Sequence, residues 1–323
     1  MTTRRFVIKA MAATPFAGVP LNSALAMDYP TKRAQVIVTT AAGGASDVVT
    51  RLTSQALSDK LGQTFLVENR PGAGGNIAID VANRAPADGY TLLAIHKGMV
   101  AANSLADNLS FNFMRDFEGV AGVSNGPLLM LTHRSLPVKS LSEFIAYAKA
   151  NPEKLNYASA GNGTGPHLAG ELFKMQAGIE MTHIPYRGGA LGFTDLLGGS
   201  VQVMFTNLPA AEFIKTGTLR LLAVTTATRS KTYPDVPAVM ELVPGFEFGE
   251  WFAYVVRKGT PKEIITRLNE AINESLKDPK VIGGIAVLDG EPMPLSPAGL
   301  NDFLAVETAK WDKVIKAANI KPG

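Results

Sequence analysis

The sequence predicts an α/β fold divided into two lobes, and three observations support this prediction. Short β-branched runs alternate with helical patterns along the chain, which is typical of α/β architecture with mainly parallel sheets. With 323 residues, the chain is longer than one hydrophobic core usually supports, which favours two lobes. Its 46% hydrophobic and 18% charged residues are ordinary for a globular protein, which excludes disordered and fibrous classes.

The first part of the chain after residue 26 predicts strands and helices in alternation. A β-branched run at residues 35–40 predicts a strand, and apolar residues at spacings of three and four predict a helix that ends near Leu61. Ser46 or Asp47 can cap the start of this helix. The remaining elements of this part are a strand at residues 64–68, a helix at 77–83 and a strand at 91–95.

The rest of the chain repeats this alternation. Strands are predicted at residues 120–123, 128–132, 156–159, 182–185, 201–205, 219–225 and 251–256. Helices are predicted at about residues 140–150, 167–177, 193–197, 261–277 and 298–318. The segment 226–250 is rich in turn residues.

Residues 1–26 have the features of an export signal. Arg4 and Arg5 precede a mildly apolar stretch, and Ala24-Leu25-Ala26 supplies a small-x-small pattern for cleavage after Ala26. The paired arginines also resemble those of a twin-arginine signal. The alternative is a cytoplasmic protein with an apolar N-terminus. No later stretch reaches about 18 apolar residues without charges, so we expect a mature protein in the periplasm.

The charge balance and the absence of cysteine exclude several functions. Three of the 31 Lys and Arg residues lie in residues 1–26, which contain no acid, so the rest carries 28 basic and 28 acidic residues. A nucleic-acid-binding protein would show a basic excess or stripe, so no nucleic-acid partner is expected. Without cysteine there is no disulfide, thiolate or iron–sulfur chemistry, and the four histidines lack metal-ligand spacing. We therefore expect no metal and no cofactor.

Two loops share a local design that suits an anionic ligand. In residues 39–46 and again in residues 159–165, a strand leads through small residues into a helix. Small residues allow a ligand to approach the backbone closely. The start of the helix offers unpaired N–H groups and the positive end of the helix dipole. One such loop in each lobe suggests a cleft in which facing helix starts hold carboxylates.

Ordered sequence blocks cover nearly all of residues 28–320. They begin with Gly43-Gly44 followed by Asp47, then ENRPGAGG at residues 68–75 and DGYTLL at 88–93. Further blocks are NYAS at 156–159, HLAGELF at 167–173, HIPYRGG at 183–189, DLLGG at 195–199, FTNLP at 205–209, LAVT at 222–225 and PDVP at 234–237. In this order they resemble the extracytoplasmic solute receptors of tripartite tricarboxylate transporters, the Bug or TctC-type family.

This resemblance implies a fold and a role. The fold is a two-lobed periplasmic-binding-protein fold of the Venus flytrap type II, with two mainly parallel sheets and a hinge. Residues 27–123 and 249–323 would form one lobe and residues 124–248 the other. The implied function is capture of a small organic carboxylate by a monomer, without catalysis, for the membrane permease subunits of such a transporter. Di- and tricarboxylates, acidic amino acids and aromatic acids all remain open as ligands.

The resemblance also implies which residues bind the ligand. They are those of the first loop (Ala42, Gly43, Gly44, Ala45, Ser46 and Asp47), those of the second loop and the following helix (Ser159, Ala160, Gly161, Asn162, Gly163, Thr164 and His167), and Tyr186 and Asn207. Members often carry proline before the paired glycines, where this chain has Ala41-Ala42. After the third strand the family tends towards Ser, Thr and Gly, whereas this chain has His96 and Lys97. We hypothesise that Lys97, together with His96, pairs with a second anionic or polar end of the ligand.

A second function class rests on Ser124. Residues 122–126 match the GxSxG pattern of serine hydrolases, so the alternative is a secreted serine hydrolase that uses Ser124. That motif requires a strand, a sharp turn and a helix, whereas Pro127 and a strand-like run follow here. The sequence also offers no convincing base for Ser124. We therefore expect a binding protein and not an enzyme.

Overall fold

The computed structural model describes residues 28–101, 109–152, 154–317 and 320. The predicted export signal at residues 1–26 lies outside these residues, as does residue 318 at the end of the last predicted helix. Within the described ranges, no helix is both long enough and apolar enough to span a bilayer.

The secondary structure alternates along the chain as predicted. The strands are β1 (Ala34–Val38), β2 (Phe65–Asn69), β3 (Thr91–His96), β4 (Phe117–Pro127), β5 (Leu129–His133), β6 (Asn156–Ser159), β7 (Thr182–Pro185), β8 (Val203–Thr206), β9 (Leu219–Val224), β10 (Gly249–Arg257) and β11 (Glu291–Pro292). The helices are α1 (Ala45–Leu61), α2 (Asn76–Arg84), α3 (Lys97–Val100), α4 (Phe113–Asp116), α5 (Leu141–Ala150), α6 (Gly165–Ala177), α7 (Gly189–Gly198), α8 (Ala211–Lys215), α9 (Lys262–Ser275), α10 (Pro279–Ala286) and α11 (Pro297–Ala317). Helices α3, α4, α8 and α10 were not predicted, because four to eight residues carry too little periodic pattern.

The strands form two sheets. The six-stranded sheet has the order β11-β4-β10-β3-β1-β2, and the five-stranded sheet has the order β7-β6-β8-β5-β9. In the first sheet β1 pairs in parallel with β2 and β3, while β10 pairs antiparallel to β3 and β4. In the second sheet β6 pairs in parallel with β7 and β8, while β5 pairs antiparallel to β8 and β9. The α/β class is confirmed, but both sheets are mixed.

The prediction of mainly parallel sheets is wrong because of how the chain passes between the sheets. It leaves the first sheet at the end of β4 (Pro127) and enters the second at the start of β5 (Leu129). It leaves the second sheet after β9 and returns at Gly249 in β10. A strand that returns at the end where its neighbour left must run antiparallel to that neighbour, as β10 does to β4.

The first sheet is buried on both faces. In β1, Val36 and Val38 pack with apolar residues of α1 and α9, whereas Ile37 between them packs with residues of α2 and α11. Successive side chains of a strand point to opposite faces, so apolar residues are needed at the consecutive positions Val36, Ile37 and Val38. The β-branched run of β1 follows from its position between β2 and β3, with helices packed on both of its faces. The end of β1 leads into the first loop of the site.

Candidate ligand-binding site

The first predicted loop connects β1 to α1. Gly43 adopts a φ of 82°, and Gly44 is the cap residue at which α1 begins, without any side chain that caps the helix. The predicted capping by Ser46 or Asp47 is therefore wrong, since both residues lie in the first turn. Because no side chain covers this helix start, its first N–H groups remain available to a ligand.

Asp47 holds this loop in place from its buried position. Its carboxylate accepts hydrogen bonds from the Gly43 N–H and from Asn69 Nδ2, both at 2.9 Å, and pairs with Arg51 Nε at 3.0 Å. Burial alone would raise the pKa of the Asp47 carboxyl, but the hydrogen bonds from Arg51, Gly43 and Asn69 lower it below its usual value. The Asp47 oxygens are thus occupied by donors of the protein, and Asp47 does not line the cleft described below.

The second predicted loop connects β6 to α6. Gly161 and Gly163 adopt φ values of 127° and 75°, in the left-handed region that favours glycine. The Ser159 hydroxyl accepts the Gly161 N–H at 3.0 Å and lies 2.6 Å from His183 Nε2. The Thr164 hydroxyl donates to the Gly161 carbonyl at 2.6 Å. The Ser159 hydroxyl thus stabilises the loop from within.

His167 also stabilises this loop. Its Nδ1 accepts the N–H of Gly163 at 3.0 Å, and its ring stacks on that of His183 with centroids 4.1 Å apart. Burial lowers the pKa of His167 to about 4 and the pKa of His183 to about 3, so both rings are neutral near pH 7. Gly163 and His167, both predicted to bind the ligand, thus bond to each other in this structure.

The start of helix α7 lies beside the two predicted loops, although the sequence did not predict it as part of the site. Helix α7 begins after Gly188 without a side-chain cap. Just before it, the Arg187 carbonyl accepts a hydrogen bond from the Ala41 N–H at 3.1 Å. This bond joins the loop before α1, which follows a strand of the first sheet, to the loop before α7, which follows a strand of the second. The adjacent Gly188 and Gly189 carried the same small-residue signal as the two predicted loops.

The three helix starts line one pocket, and a groove adjoins it. The pocket is lined by Thr40, Gly44, Ala45, Ser46, His96, Ala160, Thr164, Gly165, Pro166, Gly189, Met204, Thr206, Asn207, Leu208, Glu250 and Phe252. Its volume of about 40 Å³ is room for the centres of about three water-sized groups. The groove shares Thr40, His96, Ala160 and Thr164 with the pocket and is also lined by Gly161, Asn162, Tyr186 and Arg187. We call the pocket and the groove together the cleft.

Buried polar side chains without partners face this cleft. Among the described residues, no hydrogen-bond partner lies near Thr40 Oγ1, Ser46 Oγ or His96 Nε2. His96 Nδ1 accepts the Gly98 N–H at 3.2 Å, and burial lowers the pKa of His96 to about 4. The ring is therefore neutral, and Nε2 carries the hydrogen. Buried polar groups are nearly always hydrogen-bonded, so these three groups are suited to a polar ligand.

Lys97 does not reach the cleft. Its Nζ lies 2.5 Å from Glu307 Oε2, which also accepts a hydrogen bond from Trp251 Nε1 at 2.8 Å. Both Lys97 and Glu307 are buried, and a buried ammonium group requires a charged partner. In this structure the Lys97 ammonium is thus paired within the protein, whereas His96 lines the cleft.

Glu250 is a pocket residue that the sequence analysis missed. Its side chain is buried, and its Oε1 accepts the N–H groups of Lys97 and Trp251, both at 3.2 Å. Burial raises the pKa of the Glu250 carboxyl to about 7, against the attraction of Lys97. No motif marks Glu250, since it lies far from both loops in the sequence and beside the aromatic residues of β10.

Comparison with known proteins identifies the family. Residues 49–320 match the model of the tripartite tricarboxylate transporter family receptor. The chain belongs to this family. It is 36% identical to the protein BugT of Bordetella pertussis over 325 residues, which cover 99% of each chain. It is therefore a solute-binding receptor and not an enzyme.

Solved structures support the same family. The structure of Rpa4515 from R. palustris with adipate matches at 36% identity and a TM-score of 0.86, and it covers 91% of this receptor and 99% of the matched chain. MatC (Rpa3494) from Rhodopseudomonas palustris with bound malate matches at 30% identity and a TM-score of 0.84, with 89% and 100% covered. The fold of this receptor is thus that of solute-binding proteins.

The structure places most, but not all, of the predicted binding residues at the cleft of the receptor. Those that line the cleft are Gly44, Ala45, Ser46, His96, Ala160, Gly161, Asn162, Thr164, Tyr186 and Asn207. Those that do not are Ala42, Gly43, Asp47, Lys97, Ser159, Gly163 and His167. Lining residues that were not predicted include Thr40, Gly189, Glu250 and Phe252. The missed residues come from strand ends and from a third loop.

Ser124 lacks the setting that a hydrolase needs. It lies within β4, where it pairs with Phe252 of β10 and Pro292 of β11, and the strand continues to Pro127. The strand, sharp turn and helix of a nucleophile elbow are therefore not formed around Ser124. The alternative of a secreted serine hydrolase is wrong for this receptor.

Proposed function

We propose that the mature protein is a periplasmic receptor that captures a small organic carboxylate between two lobes. One observation carries the proposal: three helix starts without side-chain caps meet at a pocket that also holds unpartnered polar groups. Helix starts attract anions through their free N–H groups and the positive end of the helix dipole. The matched structures of Rpa4515 with adipate and MatC with malate support a carboxylate as the ligand.

The proposed chemistry uses neutral donors. N–H groups in the first turns of α1 and α7 bind the ligand carboxylate, and the Thr40 and Ser46 hydroxyls and His96 Nε2–H add hydrogen bonds. None of the lining residues of the pocket is Lys or Arg. Hydrogen bonds to a charged group are stronger than those between neutral groups, so a few well-placed donors suffice.

The proposed binding motion is closure of two lobes over the ligand. We propose that residues 27–127 with 249–323 form one lobe and residues 128–248 the other, and that the chain crosses between them near residues 127–129 and 225–248. The boundary expected at residue 124 moves because β4 stays in the first sheet to Pro127. The cleft lies between strand ends of both sheets, so bending at these crossings opens and closes it. The receptor acts as a monomer, since one chain supplies all three helix starts.

The proposed location follows from the first residues of the chain. Residues 1–26 act as a twin-arginine-type export signal that is cleaved after Ala26, and the mature receptor works in the periplasm. There it delivers its ligand to the membrane permease subunits of a tripartite tricarboxylate transporter. The family match to a transporter receptor supports this partner.

A thermal-shift screen tests the proposed function. Purified receptor is mixed with mono-, di- and tricarboxylates, acidic amino acids and aromatic acids, and with the neutral amide of each acid as a matched control. A ligand at 100 times its Kd stabilises the folded state by about 2.7 kcal/mol, which raises the Tm by several degrees. We expect at least one acid, but not its amide, to do so. If no acid raises the Tm, or if the amides act equally well, the proposal fails.

Small-angle scattering tests the lobe movement. We expect the acid found in the screen to reduce the radius of gyration, because closure of two lobes makes the molecule more compact. An unchanged radius at saturating ligand contradicts the proposed hinge while leaving the binding site itself intact.

A further inference from the structure

We infer that Glu250 selects, among small carboxylates, those that carry a hydroxyl or ammonium donor beside the carboxylate. The inference rests on the proposed function, because it assumes that a carboxylate binds in the cleft. It names the ligand class more narrowly: hydroxy acids and amino acids are preferred to plain acids of the same length.

The first observation is the position of the Glu250 side chain. Glu250 belongs to β10 of the first sheet, yet a Cβ atom placed on Gly165 at the start of α6 would lie 1.5 Å from Glu250 Oε2. The Glu250 carboxyl therefore reaches across the pocket and lies against a helix start of the other sheet. An acidic group of the protein itself already occupies this helix start, so a carboxylate of the ligand is excluded from it.

The second observation is the hydrogen bonding of the two carboxyl oxygens. Glu250 Oε1 accepts two backbone N–H groups, whereas Oε2 accepts no hydrogen bond from any residue that the structure describes. Glu250 lines the pocket, so a hydroxyl or ammonium group of a ligand can supply a donor to this oxygen. The pocket therefore offers an acceptor at this end.

The third observation is the distribution of charge along the cleft. Among its lining residues, Glu250 is in the pocket but not in the groove, and Arg187 is in the groove but not in the pocket. Thr40, His96, Ala160 and Thr164 line both parts and so connect the pocket to the groove. A ligand with its carboxylate towards the groove and its donor towards Glu250 matches this polarity. The reverse orientation places two anionic groups side by side.

The groups around Glu250 do not cancel its charge. The Lys97 ammonium is paired with Glu307, and the His96 ring is neutral near pH 7. Burial raises the pKa of the Glu250 carboxyl to about 7, although the Lys97 ammonium attracts its charged form. An ammonium or hydroxyl group of the ligand supplies the donor to the Glu250 carboxyl.

Calorimetric titration of matched acids tests the inference. The pairs are propionate with lactate, and succinate with malate; alanine and aspartate replace the hydroxyl by an ammonium group. We expect the wild-type receptor to bind the member with the donor at least about tenfold more tightly, the usual worth of a hydrogen bond to a charged group. In Glu250→Gln, which keeps the shape of the side chain, we expect this ratio to fall below about threefold.

Glu307→Gln is the matched control. Like Glu250→Gln, this variant removes the negative charge of a buried carboxyl that contacts Lys97. Unlike Glu250, Glu307 does not line the pocket. Because the measured quantity is a ratio between two ligands, partial loss of folded protein does not change it, and we expect the wild-type ratio in this variant.

Three results would overturn the inference. If Glu250→Gln keeps the wild-type ratio, or if the wild type prefers the plain acids, Glu250 does not select the donor while carboxylate binding stands. If Glu307→Gln lowers the ratio as much as Glu250→Gln does, the effect belongs to the buried network and not to the pocket oxygen. If no acid of any class binds the wild type, the inference fails together with the proposed function.

Discussion

The Lys97 ammonium lies 2.5 Å from Glu307 Oε2, and this buried ion pair follows directly on His96, a residue that lines the cleft. Trp251 Nε1 donates to the same carboxylate oxygen, so the pair connects α3, β10 and α11. The Lys97 ammonium also lies 5.1 Å from the centre of the Phe248 ring. The polar groups of this region are thereby satisfied within the protein, and the adjacent residues His96 and Glu250 are left to face the ligand.

Lys97→Met should therefore destabilise the fold. The substitution leaves the Glu307 carboxylate buried without its cation, which typically costs about 3–5 kcal/mol. Urea unfolding measures the loss. The double variant Lys97→Met, Glu307→Leu should recover most of it, because it removes both charges together. Equal stabilities of the single variant and the wild type would contradict the importance of this pair.

His96→Phe should weaken carboxylate binding by about tenfold or more. The ring shape is retained, but the Nε2–H donor is lost, and a hydrogen bond to a charged group contributes about 1.5–3 kcal/mol. Calorimetric titration with the acid found by thermal shift measures the change. His133→Phe is the matched control, since His133 bonds to Ser135 away from the cleft. Unchanged affinity in His96→Phe would remove His96 from the binding site.

Gly98→Ala should hinder closure without touching the ligand. A Cβ atom on Gly98 would lie 2.1 Å from the carbonyl oxygen of Gly163 in the second loop, a backbone atom that cannot turn aside. We expect weaker binding and a larger radius of gyration of the liganded receptor by scattering. Gly283→Ala is the control, because that helical position has open space and alanine favours helix. Full closure of the Gly98→Ala receptor would refute this contact.

The free energy of unfolding should fall as the pH is lowered from about 6.5 to 4. Histidine has a pKa near 6.5 in an unfolded chain, whereas burial lowers the pKa of both His96 and His167 to about 4. In this window the unfolded chain binds protons that the folded chain does not, which costs up to about 3 kcal/mol for each histidine. Glu250 acts in the opposite sense, because its raised pKa lets the folded chain keep a proton above pH 4.5.

Urea unfolding at several pH values separates the two contributions. The variant His167→Gln should lose less stability on acidification than the wild type does, and Glu250→Gln should lose more. If acidification affects all three proteins equally, the buried histidines and Glu250 do not control the pH dependence.

Much of the fold was predictable because its strands and helices carry local patterns. The strands β6 and β7 match the predicted ranges at residues 156–159 and 182–185. The direction of β10 was not predictable, since it depends on where the chain returns from the second sheet. The four short helices were not predicted, because four to eight residues are too few to show a helical repeat of apolar residues.

The loops of the binding site were predictable, because small residues before a helix mark them in the sequence. The roles of ionisable side chains were not predictable, because they depend on which groups the fold brings together. Gly44 and Thr164 lie at helix starts, and the small residues of the loops before these helices are visible in the sequence. Lys97 and Glu250, in contrast, have ionisable side chains whose partners lie more than 150 residues away. Only the folded arrangement assigns Lys97 to Glu307 and leaves an oxygen of Glu250 facing the pocket.

The hydrogen bond from Ala41 to Arg187 has a consequence for the energetics of capture. This bond forms between two main-chain groups of the protein and requires no bound molecule. In the proposed two-lobe motion this bond favours the closed arrangement, so an incoming acid has to supply less of the free energy of closure. We therefore expect ligand release to require that the same amide and carbonyl separate and become hydrated, and we expect this main-chain bond to lengthen the residence time.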